Sequence, residues 1–118
     1  MQTQKFEDIW KDIRQKQYYP LYLLMGEESF YIDVIADLLE DRVLDEQEKE
    51  FNLTVLYGRD TSAAEIVAHA RRYPMMAPYH LVIIREAQHL KDLEPFVSYT
   101  EKPLTGSILV LCYKYKSL

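Results

Sequence analysis

This sequence predicts an α/β domain, a parallel sheet with helices on both faces, and three features predict it. Helical stripes and short apolar runs alternate four times along the 118 residues. The later runs are apolar at every position, as expected of strands covered on both sides. The composition is 48% hydrophobic and 28% charged with three glycines and five prolines, which excludes collagen-like, low-complexity and disordered chains and suits one folded domain.

Near the start, Phe6, Ile9, Trp10 and Ile13 fall on one helical face, and this first helix ends before Tyr18, Tyr19 and Pro20. Leu21 to Met25 is a short apolar run closed by Gly26 and reads as a buried strand. Tyr31, Val34, Ile35, Leu38 and Leu39 then form a second stripe, with Asp33, Asp37, Glu40 and Asp41 on its outer face. DEQEKE at 45–50 reads as an exposed helix end and connection. Phe51 to Tyr57, rich in β-formers and stopped by Gly58, predicts the second strand. Ala63, Ile66, Val67 and Ala70 mark a third helix with Thr61 or Ser62 as its N-cap. Leu81–Ile84 and Ile108–Leu111 are the third and fourth strands. Between them Leu90, Leu93, Phe96 and Val97 give a short helical region, interrupted by Pro95, which fits the first turn of a second short helix. The order αβαβαβαβ implies parallel strands joined by crossovers. The YKYKSL end follows an apolar strand with no closing helix, so the chain reads as the first domain of a longer protein.

Charge is uneven. Residues 1–26, 27–50 and 51–118 carry +1, −8 and +2, so the acidic excess lies in one segment. A uniformly acidic chain would argue against direct affinity for nucleic acid, since phosphate contacts need clustered Lys or Arg, but here that argument holds only for the one acidic segment. The single cysteine, Cys112, can form neither an internal disulfide nor a thiol cluster, and reads as a buried structural thiol in a cytoplasmic protein. The first residues contain no continuous apolar run, so neither a signal peptide nor a membrane anchor is expected.

In a parallel α/β sheet the default ligand site lies beyond the carboxyl ends of the strands. The loop after the first strand, Gly26, Glu27, Glu28, is placed like a phosphate-binding loop. A working loop would need glycine where Tyr31 stands, lysine where Ile32 stands and a hydroxyl where Asp33 stands. Glu27 and Glu28 also put negative charge at a helix N-terminus, where it favours the helix and repels phosphate. After the third strand, the position of a metal-binding carboxylate holds Arg85, followed by Glu86. ATP hydrolysis is therefore not expected. His69, His80 and His89 lack metal-ligand spacing, and Ser29, Ser62, Ser98 and Ser107 lack the glycines of a nucleophile elbow. No metal or cofactor is expected.

One segment departs from what its position requires. Tyr73, Pro74, Met75, Met76, Ala77, Pro78 and Tyr79 form an uncharged turn between a helix and a buried strand, where a polar loop is usual. Either one Met packs beneath the helix and the other caps the sheet edge, or both form an adhesive tip of soft side chains on a proline-stiffened turn.

The succession YLLMGEESFYID, FNLTVLYG, YPMMAPYHLVIIREAQHL, P-x-x-G-S-I-L-V-L and YKYK resembles the delta subunit of bacterial DNA polymerase III, the clamp-loader wrench, from Tyr22 onward. The resemblance rests on the order and spacing of these segments and on the loss of both nucleotide motifs. It implies an AAA+-like domain, of P-loop NTPase ancestry with a degenerate nucleotide site, followed in the family by a helical lid and a helical collar. It also implies a subunit of the polymerase holoenzyme that is not itself catalytic. In the family, two adjacent large hydrophobic side chains just before the third strand wedge into the β sliding clamp and help open the ring. Those positions fall on Met75 and Met76, flanked by Tyr73, Pro74 and Pro78. The other implied partners are the ATPase and delta-prime subunits of the loader, with DNA met through the assembled loader and no membrane. The competing reading from the residues alone is a small Rossmann-like nucleotide- or cofactor-binding enzyme using the Gly26 loop.

Overall fold

The computed structural model describes residues 6–114. Four parallel strands form one sheet in the order β1-β4-β3-β2, with β1 Leu21–Gly26, β2 Leu53–Tyr57, β3 His80–Arg85 and β4 Ser107–Lys114. Leu21 pairs with Leu109, Leu81 with Ile108, and Leu53 with Leu81. The central strands β3 and β4 are buried from Leu81 to Ile84 and from Ile108 to Cys112. Their continuous apolar sequence is satisfied on both faces, as the parallel arrangement requires.

Alternate residues of each strand feed two separate cores. On one face Tyr22, Leu24, Leu81, Ile83, Ile108, Val110 and Cys112 meet α1 Phe6–Arg14 and α2 Ser29–Val43. On the other, Val82, Ile84, Leu109 and Leu111 meet α4 Ala63–Ala70 and α5 Glu94–Glu101. The predicted three-layer α/β fold is thus observed. Ser62 caps α4 by accepting a hydrogen bond from the Glu65 N–H, and Pro95 lies in the first turn of α5.

Several boundaries differ from the sequence reading. The 45–50 connection is part of a helix of its own, α3 Glu46–Asn52, started by a capping box in which Asp45 and Glu48 satisfy each other's backbone N–H. Phe51 and Asn52 therefore belong to α3, and β2 begins at Leu53. The stripe of α2 is rotated: Ile32, Ile35, Ala36, Leu39 and Val43 are buried, while Tyr31 lies outside and stacks on Phe6 at 4.8 Å. Apolar residues surround enough of α2 that periodicity alone left two faces possible. Leu90 and Leu93 are not helical; a single 3-10 turn, Ala87–His89, precedes α5, which buries Phe96 and Tyr99 and leaves Val97 exposed. Of the YKYKSL end, Tyr113 and Lys114 complete β4, and 115–118 lie outside the described residues, as do 1–5. Among the described residues no helix is long and apolar enough to cross a membrane.

Gly58, which ends β2, is buried with its α-carbon against the backbone of Glu86 and Ala87, and an added Cβ would overlap the Glu86 carbonyl. Backbone cannot retreat as a flexible side chain can. Gly58→Ala is therefore expected to destabilise the domain by about 1–3 kcal/mol, read as a lower urea midpoint at unchanged m-value. An unchanged midpoint would mean that the β2 end has room to move.

His80 opens β3 almost fully buried, with Nε2 3.3 Å from the Thr54 hydroxyl. Burial is the largest influence on its pKa and pushes it below the usual 6.5. The unfolded chain then takes up a proton that the folded one refuses, so stability is intact above about pH 6.5 and falls as pH drops toward the folded pKa. Urea melts between about pH 7.5 and 5.5 should lose less stability in His80→Gln than in the parent. Equal losses would show that His80 contributes nothing to the acid limb.

Candidate functional site

The topology puts the two regions singled out by sequence at opposite ends of the sheet. The Gly26 loop leaves the carboxyl end of β1, whereas the methionine turn enters β3 at its amino end.

At the carboxyl end, Gly26 has φ +151°, and Glu27 and Glu28 are the whole connection before α2 begins at Ser29. The Ser29 N–H donates to the Glu27 carbonyl at 3.0 Å, closing the turn on itself. Tyr31 and Ile32 already belong to the first turn of α2, and the Ile32 side chain is buried in the core, so it faces away from the place a phosphate would occupy. Glu28 is the N-cap residue of α2 and makes no side-chain capping bond; both glutamates are exposed.

Beyond this turn the ends of β3 and β4 are tied to α2 by ion pairs. The Arg85 guanidinium reaches Asp37 Oδ1 at 2.9 Å and Asp33 Oδ1 at 3.5 Å, and Lys114 Nζ reaches Asp33 Oδ1 at 2.9 Å. Asp33 stands where a metal-binding hydroxyl would be, and Arg85 where a metal carboxylate would be. The two therefore engage each other. Part of the −8 segment is consequently neutralised by strand-end cations, Arg85 lying 48 positions from Asp37 and Lys114 81 from Asp33, a pairing that charge counting along the chain does not reveal. Glu86 adopts a left-handed backbone, φ +56°, and accepts a hydrogen bond from the Gln88 side chain at 2.6 Å. Burial pushes the Cys112 thiol up to about 11, which keeps it protonated and poorly nucleophilic near neutral pH. No group of three or more His, Cys, Asp or Glu side chains among the described residues is placed to hold a metal.

At the opposite end, residues 73–79 connect α4 to β3 and divide into an inner and an outer set. Ala77 and Tyr79 pack on the α1/α2 core, and the Tyr79 ring meets Tyr18 edge-on at 5.4 Å. Pro74 is half-buried and lies over Gly106, where a Cβ would come 3.5 Å from Pro74 Cγ and from the Pro78 carbonyl oxygen. Gly106 has φ +89°, a conformation that favours glycine, and its carbonyl accepts the His80 N–H at 2.8 Å. This anchoring holds the base of the turn while its outer side chains face solvent: Met76 is 100% exposed, Tyr73 76% and Met75 53%, with Pro78 also exposed. Of the two arrangements open at the sequence level, the side chains adopt the exposed one. Met76 has φ +57°, a left-handed conformation that costs a residue with a side chain about 1–2 kcal/mol.

Sequence reasoning missed Asn52. Its amide is 1% exposed, accepts the Met75 N–H on Oδ1 at 2.7 Å, and donates from Nδ2 to the Met75 carbonyl at 2.8 Å and to the Glu48 carbonyl at 3.0 Å. The signal was an asparagine inside an otherwise β-forming run, where asparagine is disfavoured.

Comparison with known proteins bears on the fold and the family. Residues 22–118 match the family described as DNA polymerase III, delta subunit. A DNA polymerase III subunit delta from Bacillus subtilis (strain 168) is 25% identical over 121 residues, a match covering 94% of this chain and 35% of that protein. The chain thus spans about a third of the length of this relative. Among solved structures, the Bacillus subtilis DNA clamp loader delta protein superposes with a TM-score of 0.86 at 24% identity, covering 97% of this chain and 37% of that one. A DNA polymerase III gamma subunit-related protein from Thermotoga maritima superposes with a TM-score of 0.67 at 17% identity, over 94% of this chain and 40% of that one. The fold is therefore the one these two structures share, and the chain belongs to the DNA polymerase III delta subunit family.

Proposed function

We propose that this domain is the clamp-binding part of a non-hydrolysing clamp-loader subunit, and that Met75 and Met76 are the side chains it inserts into a pocket on the β sliding clamp to help open the ring. One observation carries the reading: a fully exposed methionine, beside a second that is half-exposed, on a turn whose base is packed and hydrogen-bonded into the fold. An unanchored apolar loop would lose much of its binding energy to ordering, whereas an anchored one is already arranged. Tyr73 and the exposed Pro78 border the tip and widen its apolar surface. Burying two methionine side chains is worth about 3–6 kcal/mol before ordering costs, enough for a specific but reversible contact.

The closed Gly26 turn and the Asp33–Arg85–Lys114 ion pairs favour a domain that neither binds nor hydrolyses ATP. Energy for clamp opening would then come from ATPase partners in the loader, with delta prime completing the assembly and DNA met only by the assembled complex. The subunit would be cytoplasmic, and in the full protein the domain would be followed by a helical lid and collar. A nucleotide- or cofactor-binding enzyme built on the Gly26 loop draws no support from that turn, because the first amide of α2, that of Ser29, is already bonded to the Glu27 carbonyl.

Two measurements test this. In the full-length protein, Met75→Ala combined with Met76→Ala should weaken binding to the sliding clamp of the same organism by at least about tenfold, without lowering the thermal midpoint. Unchanged affinity would overturn the docking assignment. Isothermal titration of the unaltered protein with Mg-ATP should give no saturable heat, and a Mg-dependent binding isotherm would overturn the reading of the Gly26 loop.

A further inference from the structure

Resting on that docking reading, we infer that Asn52 is a positioning residue for clamp binding: its buried carboxamide sets the backbone of the methionine turn in the conformation that presents Met76. Among the described residues, the main chain of 73–79 makes no hydrogen bond to any other main-chain group. Pro74 and Pro78 have no N–H to offer. The two hydrogen bonds that the turn's backbone does make, through the N–H and the carbonyl of Met75, both go to Asn52.

The carboxamide is matched to this task. Its oxygen meets the only donor and its nitrogen the only acceptor that Met75 offers, so a flipped amide would place like against like at both contacts. Its second N–H is taken by the Glu48 carbonyl one helical turn back. Aspartate would set a carboxylate against two carbonyls, and leucine would leave both Met75 groups without a partner. The bearing is also stiff: Asn52 is the last residue of α3, which is held at its other end by the Asp45–Glu48 capping box, and Leu53 enters the sheet immediately after it. With Met75 fixed on one side and Ala77 packed into the core on the other, Met76 is confined between two anchors. Its left-handed backbone follows from that confinement, and its side chain is directed wholly into solvent. Without the amide, the uncharged turn gains alternative conformations, including ones that fold the methionines back against the protein, and the clamp would have to select the competent one.

Hydrogen exchange on the unaltered full-length protein gives the first test. The Met75 amide should exchange at least about tenfold more slowly than the Met76 amide; equal rates would overturn the proposal. The second is a double-mutant cycle in clamp binding. Asn52→Ala should weaken binding by about tenfold or more and abolish Met75 protection, with the amides of Leu81–Ile84 still protected. Added to Met75→Ala and Met76→Ala, it should change affinity by less than about twofold. An equal loss in both backgrounds would mean that Asn52 acts through the fold at large and would overturn the positioning role. Full affinity in Asn52→Ala, where the methionine pair is needed for binding, would overturn it alone. Full affinity in the methionine double variant would overturn the docking reading, and with it any part for Asn52 in docking.

Discussion

Everything in this domain is hung on the pairing of two strands whose central residues are almost wholly buried. Leu81–Ile84 and Ile108–Cys112 lie side by side with each residue 7% exposed or less, and their alternating side chains supply the centre of both cores. A parallel pair of this kind satisfies its backbone only through the ladder, and its side chains only if helices close both faces. The helices are therefore obliged to divide, α1 and α2 to one side and α4 and α5 to the other. Because crossovers must return to the same end of the sheet, every helix-to-strand turn collects at one edge and every strand-to-helix turn at the other.

That separation gives the two ends different chemistry. At the carboxyl end, the space beyond the strands is occupied by the protein's own charges. Arg85 and Lys114 converge on Asp33 and Asp37 from strand and helix. These partly exposed pairs each contribute little to stability, on the order of 0–1 kcal/mol. Their weight is positional: they fasten the ends of β3 and β4 to α2. At the amino end, the turn into β3 carries no charge, is anchored through Ala77, Tyr79, Pro74 and Asn52, and leaves its largest apolar side chains in solvent. Neighbouring charges fill the first region, while packed and hydrogen-bonded neighbours leave the tip of the second in solvent.

Legibility followed the range of the interaction. The β3 and β4 strands were plain because an unbroken apolar run bounded by turn residues has one economical solution in an α/β chain. The α4 cap, narrowed to Thr61 or Ser62 and found at Ser62, and the first-turn place of Pro95 are legible because caps and first-turn prolines are local devices. The buried face of α2 was misjudged between Tyr31 and Ile32, since apolar residues occur on both sides of it and only the sheet beneath decides which side is covered. The separate helix α3 was read as a connection although its capping box, Asp45 to Glu48, is visible in the sequence. Its brevity and its acidic surface concealed it.

By itself, then, the sequence determined the alternating α/β architecture, the departure of the Gly26 loop from the P-loop pattern and the anomaly of an uncharged turn bearing adjacent methionines. Each is a matter of residue type within a window of a few positions. Only the tertiary structure decided which way those methionines point, because that depends on the Asn52 amide, 23 residues away, meeting the Met75 backbone beside the first turn of the sheet. It also decided that Asp33 and Arg85 neutralise one another, a pairing between a helix and the end of a strand. Hydrogen bonds and ion pairs between distant segments leave no periodic trace, and they exist only once the two central strands have brought those segments together.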